Sequence, residues 1–447
     1  MERDPHAERS ASPLPPDDAL RAVLHDEVHA RPSARIRLPA LVVHVAVLND
    51  GVSRAAECAH LRRLPGQGAL TPADLQSDFL RLRYADHTLR WERHTEFSRY
   101  TLVQPLPAGA ALGAVEPALA DALALDPAWL RAIPGRTVAA VLLALLPHDA
   151  ACDPAAALAL GERWFGGGPV VGSITGQGQA MALTDFRLLP GGFERMLVLA
   201  APATSQTRAG RIAQRLLEME TYRLMALRGL PVAKELAPML AESEAALAEV
   251  TARLEARQAS EAELLDELIH AAARVERATA THLYRFSATQ AYDARARQRI
   301  AELREAPVPG VQTIGEFMQR RLSPAIATVA ATAQRLASLS QRIERASALL
   351  RTRVDIARET QNQQLLAKLT RGQELQLRLQ TTVEGLSIAA ISYYVVSLLL
   401  YGAKALKAAG LPVEPEVAAG ALIPLVLWGV WKATRRVHER LLGREHT

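Results

Sequence analysis

Residues 385–403 read GLSIAAISYYVVSLLLYGA, nineteen positions without a charge. A bilayer core about 30 Å thick takes roughly 20 helical residues to cross, so this stretch suffices for one span. Residues 417–431 (VAAGALIPLVLWGVW) add fifteen more uncharged positions around Pro424. That second run is short, but the apolar stems of Lys432 and Arg435 extend it while their heads stay in water. Tyr393, Tyr394 and Tyr401 mark the first run and Trp428 and Trp431 the second, as amphipathic rings do at membrane boundaries. The pair predicts a two-helix transmembrane hairpin over residues 385–431.

Upstream of the first span, residues 325–385 contain no proline, and Gly372 is the lone interior glycine. Leu336, Leu339, Ile343, Ala346, Leu350 and Val354 recur near the helical period. Beyond Asp355 the chain turns polar and Gln-rich, then enters the span with nothing to stop a helix. A continuous rod from 325 to 403 covers 79 residues, roughly 120 Å at 1.5 Å each. An apolar stripe on such a rod needs partner helices, supplied by residues 205–305 or by other copies of the chain.

Orientation follows from the basic residues. Lys432, Arg435, Arg436, Arg440 and Arg444 follow the second span, and Lys368, Arg371 and Arg378 precede the first. The connecting loop sets Lys404 and Lys407 against Glu414 and Glu416. More positive charge outside the hairpin than within its loop puts both termini in the cytoplasm. Lys432, Arg435, Arg436 and Arg440 also suit anionic lipid headgroups.

The remainder is soluble in character. Residues 1–20 are polar and Pro-rich and read as a disordered leader without a signal peptide. Residues 21–203 mix short apolar runs with turns, an α/β domain. Strands are predicted at 37–48 and 88–103, strands or short helices at 137–146 and 195–199, and helices at 110–125 and 154–164. Residues 204–305 turn helical, with Gly229 and Pro231 as a break and Ser260–Glu263 as a capping box. Residues 311–384 hold the stalk and 432–447 a basic cytosolic tail. The fold class is therefore α+β.

Composition narrows function without naming one. Among 447 residues the net charge is only +5, and the arginines interleave with glutamates, so no nucleic-acid partner is expected. Two cysteines exclude a disulfide scaffold and a Cys-rich metal module. His25-Asp-Glu-Val-His29 sets two imidazoles four apart, a candidate metal pair without a third ligand by spacing; a structural hydrogen-bonding cluster is the alternative. Arg90-Trp-Glu-Arg-His-Thr-Glu96 suggests a paired ionic network against another element. The run GGGPVVGSITGQG (166–178) lacks the Lys-Ser/Thr of a phosphate loop and reads as a flexible turn cluster. No nucleophile signature appears, so neither an enzyme nor a cofactor is expected.

Several segments resemble a known group. His25–Pro32 (HDEVHARP), Arg90–Phe97 (RWERHTEF), Thr184-Asp-Phe186, Gln214–Tyr222, Arg351–Asp355 and Val383–Tyr394 are similar to the proteobacterial membrane-anchored proteins grouped as domain of unknown function 3422. That resemblance covers nearly the whole chain and implies a membrane protein without assigned activity. The layout also resembles, more loosely, the CorA-type magnesium channels: cytosolic domain, long stalk helix, two spans, basic tail, pentameric assembly. It implies interest in Tyr401, Gly402, Lys404, Glu414 and Glu416 around the membrane loop. The Gly-Met-Asn of that family is replaced here by Gly402-Ala-Lys404, and a lysine at a cation entrance repels Mg²⁺. The expectation is a multi-pass inner (cytoplasmic) membrane protein in contact with the lipid bilayer, assembled as a homo-oligomer such as a pentamer. It acts as an ion channel, transporter or sensor, or else as an anchored scaffold.

Overall fold

The computed structural model describes residues 18–21, 24–25, 34–107, 119, 122–148, 153–256, 259–410, 412 and 414–442, with side chains through 436 in the last helix. Residues 1–17 of the leader, His29 and eleven of the sixteen residues of the helix predicted at 110–125 lie outside the described residues.

Residues ALVVHVAVL form β1 (Ala40–Leu48), every one of them buried. A strand with elements on both faces needs no polar alternation, which is why this run is nearly all apolar. Helix α1 (Arg54–Leu61) follows, its N-terminus capped by Ser53 accepting from the Ala56 N–H. Then come β2 (Phe79–Arg83), β3 (Thr88–Arg93), β4 (Phe97–Pro105), α2 (Pro127–Arg131), β5 (Arg136–Pro147), α3 (Pro154–Trp164), β6 (Val171–Thr175), β7 (Ala180–Leu188) and β8 (Glu194–Ala200). Long helices complete the chain: α4 (Gln206–Leu227), α5 (Gly229–Ala256) and α6 (Glu261–Leu303), then the two-residue β9 (Ala306–Pro307), α7 (Ile314–Arg321), α8 (Ser323–Ala408) and α9 (Pro415–Leu442).

The strands make one mixed sheet in the order β2-β3-β4-β1-β5-β8-β7-β6-β9, with β5 and β8 its parallel pair. On one face Leu61, Trp129 and Trp164 from α1, α2 and α3 pack on Leu41, Val43 and Trp91. On the other, Ile212, Leu216 and Met219 of α4 and Met318 of α7 cover Val42, Leu143 and Val198.

Two local expectations are corrected. The strand predicted at 88–103 is a hairpin: His94, Thr95 and Glu96 turn the chain, and the His94 N–H donates to the Phe97 carbonyl at 2.8 Å. The turn resets the alternation, so Phe97 does not share a face with Trp91; it packs with Ala46, Leu48 and Met225. The glycine-rich run is not a loop throughout. Gly166 and Gly167, at positive φ, follow α3, and Gly176 and Gly178 form the tight turn between β6 and β7. Gly172 lies inside β6, where a β-carbon would sit 2.3 Å from Leu183 Cδ2. The capping box forms as read: the Glu263 N–H donates to Ser260 Oγ at 3.2 Å, and the Ser260 N–H to Glu263 Oε2 at 3.4 Å.

The chain divides into two compact units, residues 1–258 with 266–346, and residues 259–265 with 347–447. The first holds the sheet and its covering helices. In the second, α8 continues unbroken to Ala408, and the apolar side chains Leu365, Leu366, Leu369, Leu375 and Leu379 are exposed. Helices α7 and α8, separated by Leu322 alone, make a 95-residue helical run whose apolar end is long enough to cross a membrane, and residues 415–436 of α9 pass the same test. Almost none of either apolar stretch is buried in protein, whereas a core helix of a soluble fold buries its apolar side chains.

Candidate functional site

The first unit carries a polar layer where the sheet meets α4. Register creates it: Glu92 on β3 stands opposite Arg99 on β4, Arg90 opposite Thr101, and Thr101 opposite His44 on β1. Strand alternation then points Arg90, Glu92, Arg99 and His44 to one face, all of them buried. The Glu92 carboxylate accepts from Arg90 Nη2 at 2.7 Å and from Arg99 Nε. Arg99 Nη2 also reaches Glu218 Oε1 on α4 at 3.0 Å, where Gln214 Nε2 donates as well at 2.8 Å. Arg299 of α6 closes the chain, 2.5 Å from the other Glu218 oxygen and 2.8 Å from Glu302.

Electrostatics decides each protonation state. Burial alone would push the Glu92 carboxyl up, but the Arg99 and Arg90 guanidiniums outweigh it and hold the group at about 2. Glu218 is likewise held low by Arg99 and Arg299 against its own burial. His44 behaves in the opposite sense: burial, aided by Arg99, lowers it to about 3. Thr221 donates its hydroxyl proton to the Leu217 carbonyl, so His44 Nε2 donates to Thr221 (3.0 Å), and Nδ1 accepts from Thr101 (2.9 Å). The ring is a neutral hydrogen-bonding strut.

That strut gives a pH prediction. The folded value of His44 lies below its unfolded value of about 6.5, so the unfolded chain binds the proton first as pH falls. Its contribution to stability is intact above about pH 6.5 and is lost progressively towards pH 3. Between pH 6.5 and 4 the unfolding midpoint of His44→Gln should be flatter against pH than that of the parent; parallel profiles would count against the assignment.

Beside this layer opens a cleft of about 1000 Å³ lined by Arg54, Arg99, Glu218, Tyr222, Tyr292, Arg295 and Arg299. Glu96, at the hairpin turn, accepts two hydrogen bonds from Arg285 on α6, at 2.8 and 2.9 Å. Tyr222 and Tyr292 lie nearly parallel, ring centres 6.0 Å apart. Of this site, the sequence pointed to residues 90–96 as an ionic network, which reaches α4 through Arg99 and Glu218, and to Gln214–Tyr222 only among the family-like segments. Glu218, Arg285 and Arg299 lie more than a hundred residues downstream on amphipathic helices, where they look like any solvated Arg and Glu.

The other expected site residues fall elsewhere. His25 is exposed and His29 lies outside the described residues, so the expected pair falls outside what the structure describes. Among the described residues no group of three metal-ligating side chains converges. In the second unit, Tyr401, Gly402 and Lys404 sit in the last turns of α8, with the Lys404 ammonium 5.9 Å from the Tyr401 ring centre. Glu414 is paired with Lys407 at 2.8 Å, and Glu416 occupies the first turn of α9. Lys432 lies over Trp428 at 4.5 Å and Arg435 over Trp431 at 5.3 Å. Arg436 is exposed, and the side chain of Arg440 lies outside the described ones.

A family model described as protein of unknown function (DUF3422) matches residues 16–441. The chain belongs to this family. No curated protein and no solved structure matches it. The DUF3422 match thus covers both the arginine-lined cleft and the apolar helix pair, and nothing found supports the looser likeness to CorA-type channels.

Proposed function

We propose that this DUF3422 protein is an integral inner-membrane protein in which α8 and α9 anchor a cytosolic binding domain, so that it acts as an anchored receptor or scaffold. One observation carries the reading: a single helix runs from residues packed on the sheet into a long, uncharged and unburied stretch. The stacked Lys432–Trp428 and Arg435–Trp431 pairs suit a cytoplasmic membrane boundary. The exposed leucines of α8 suit helix pairing between copies, hence a homo-oligomer. We read the first unit as binding rather than catalytic, because the Glu92 and Glu218 carboxylates at its polar layer are held ionised by arginine.

The test is extraction and topology. The full chain should stay in the membrane pellet through an alkaline carbonate wash and leave it with detergent. Alkaline phosphatase fused after Thr447 should be inactive, while a fluorescent protein at the same place should glow. Recovery in the soluble fraction, or an active phosphatase at that end, overturns the proposal. Mass measured in nanodiscs checks the assembly, and a strict monomer removes the pairing role of α8.

A further inference from the structure

A second, smaller cavity of about 650 Å³ adjoins the cleft and shares Arg93, Glu96 and Tyr284 with it. Its wall is the loop between β1 and α1, residues 49–53; Arg136 reaches it from the start of β5 and Arg228 from the end of α4. The charges around it do not balance. Arg93 is committed to Glu57 and to the Val52 carbonyl, and Glu96 to Arg285. That leaves Arg136 and Arg228 facing Asp50.

Arg136 and Arg228 differ from the arginines of the polar layer. Neither makes an ion pair among the described residues, and Arg228 Nε is shielded from solvent without a hydrogen-bond partner. Burial first, then Arg285 and Arg136, push Arg228 below its ordinary value against the opposing pull of Glu96 and Asp50. A buried N–H without an acceptor is costly unless something supplies one. Guanidinium forks match phosphate oxygens in geometry and charge. Tyr284 lines both cavities, so a molecule anchored at the arginines has an aromatic face beside it and open room beyond.

We infer that Arg136 and Arg228 form an anion subsite that holds the phosphate of a small organic phosphate, whose body extends past Tyr284 into the larger cleft. This deepens the receptor reading above and rests on it: the first unit would be the ligand-binding half of the anchored protein.

ADP is a suitable probe because it joins a diphosphate to a planar ring, and inorganic pyrophosphate tests the anion alone. Calorimetry on the full chain in phosphatidylcholine nanodiscs should show saturable binding of ADP, with pyrophosphate binding more weakly at the same site. Arg136→Gln and Arg228→Gln should each weaken ADP at least tenfold while leaving the unfolding midpoint in place. Arg358→Gln, on an exposed stretch of α8, should leave binding unchanged, which separates the subsite from loss of net charge. Absence of heat with both probes at millimolar concentration, or equal weakening by all three variants, overturns the inference. Either result leaves the membrane extraction and topology tests to judge the anchor independently.

Discussion

Replacing Glu92 by alanine should lower stability by about 3–5 kcal/mol, the range for breaking a buried ion pair from one side. The cost comes less from lost attraction than from what stays behind. Arg90 and Arg99 would remain buried beside His44 without the carboxylate that both of them share, although Glu218 would still reach Arg99. For a unit of this size that corresponds to a fall in unfolding temperature on the order of 5–10 °C. Trp91, Trp129 and Trp164 are all buried in the first unit and report on it by fluorescence. Glu92→Gln should cost less, since it keeps an acceptor for one guanidinium. The folded carboxyl titrates near 2, below the roughly 4.3 of an unfolded glutamate, so its contribution is present above about pH 4.3 and lost as pH falls through 2. Glu92→Gln should therefore lose less stability than the parent over that acid interval. An alanine variant whose midpoint stays within about a degree of the parent would show that the layer contributes nothing to the fold.

The same layer explains what was legible in the sequence. Helices α3, α4 and α8 and strand β1 were readable because each buries a run of one period or lacks any breaker, while β5 and β8 showed as apolar runs left open between strand and short helix. The membrane-length stretches were plainer still, being uncharged over lengths that few soluble helices sustain. The hairpin at residues 94–96 was missed because alternation across Arg90–Phe97 looks continuous; only the paired strands reveal that three polar residues between β3 and β4 form a turn. Strand β6 was missed because Gly172 and its glycine neighbours read as loop, when Gly172 is there to let Leu183 approach. The cleft was half visible. Its β3 residues announced an ionic network, but Glu218, Arg228, Arg285 and Arg299 acquire meaning only when α4 and α6 pack across the sheet, and local pattern carries no signal for such long-range pairing.

Gly210 puts that packing to a test in which two physical effects have opposite signs. It lies in the interior of α4, where alanine would ordinarily be favoured by up to about 1 kcal/mol. A β-carbon there would sit 1.7 Å from the Ala34 carbonyl oxygen, a backbone atom that must move rather than a side chain that can swing. Moving it displaces the next residues: the Ile36 N–H donates to the Gln206 carbonyl at 3.0 Å, and the Ile36 side chain is buried between sheet and helix. Overpacking of this kind costs about 1–3 kcal/mol and occasionally more, and with backbone as the obstacle the upper end applies. The expected net effect of Gly210→Ala is a loss of about 2 kcal/mol. Gly372, in the exposed part of α8, has nothing within 4 Å of its missing β-carbon, so Gly372→Ala should leave the first unit untouched and strengthen its own helix. Hydrogen exchange reads both: faster exchange in β1 and α4 for the first variant, slower exchange around residue 372 for the second. If Gly210→Ala instead protected α4, helix propensity would outweigh the contact with Ala34, and the close seating of α4 that brings Glu218 to Arg99 would have to be abandoned.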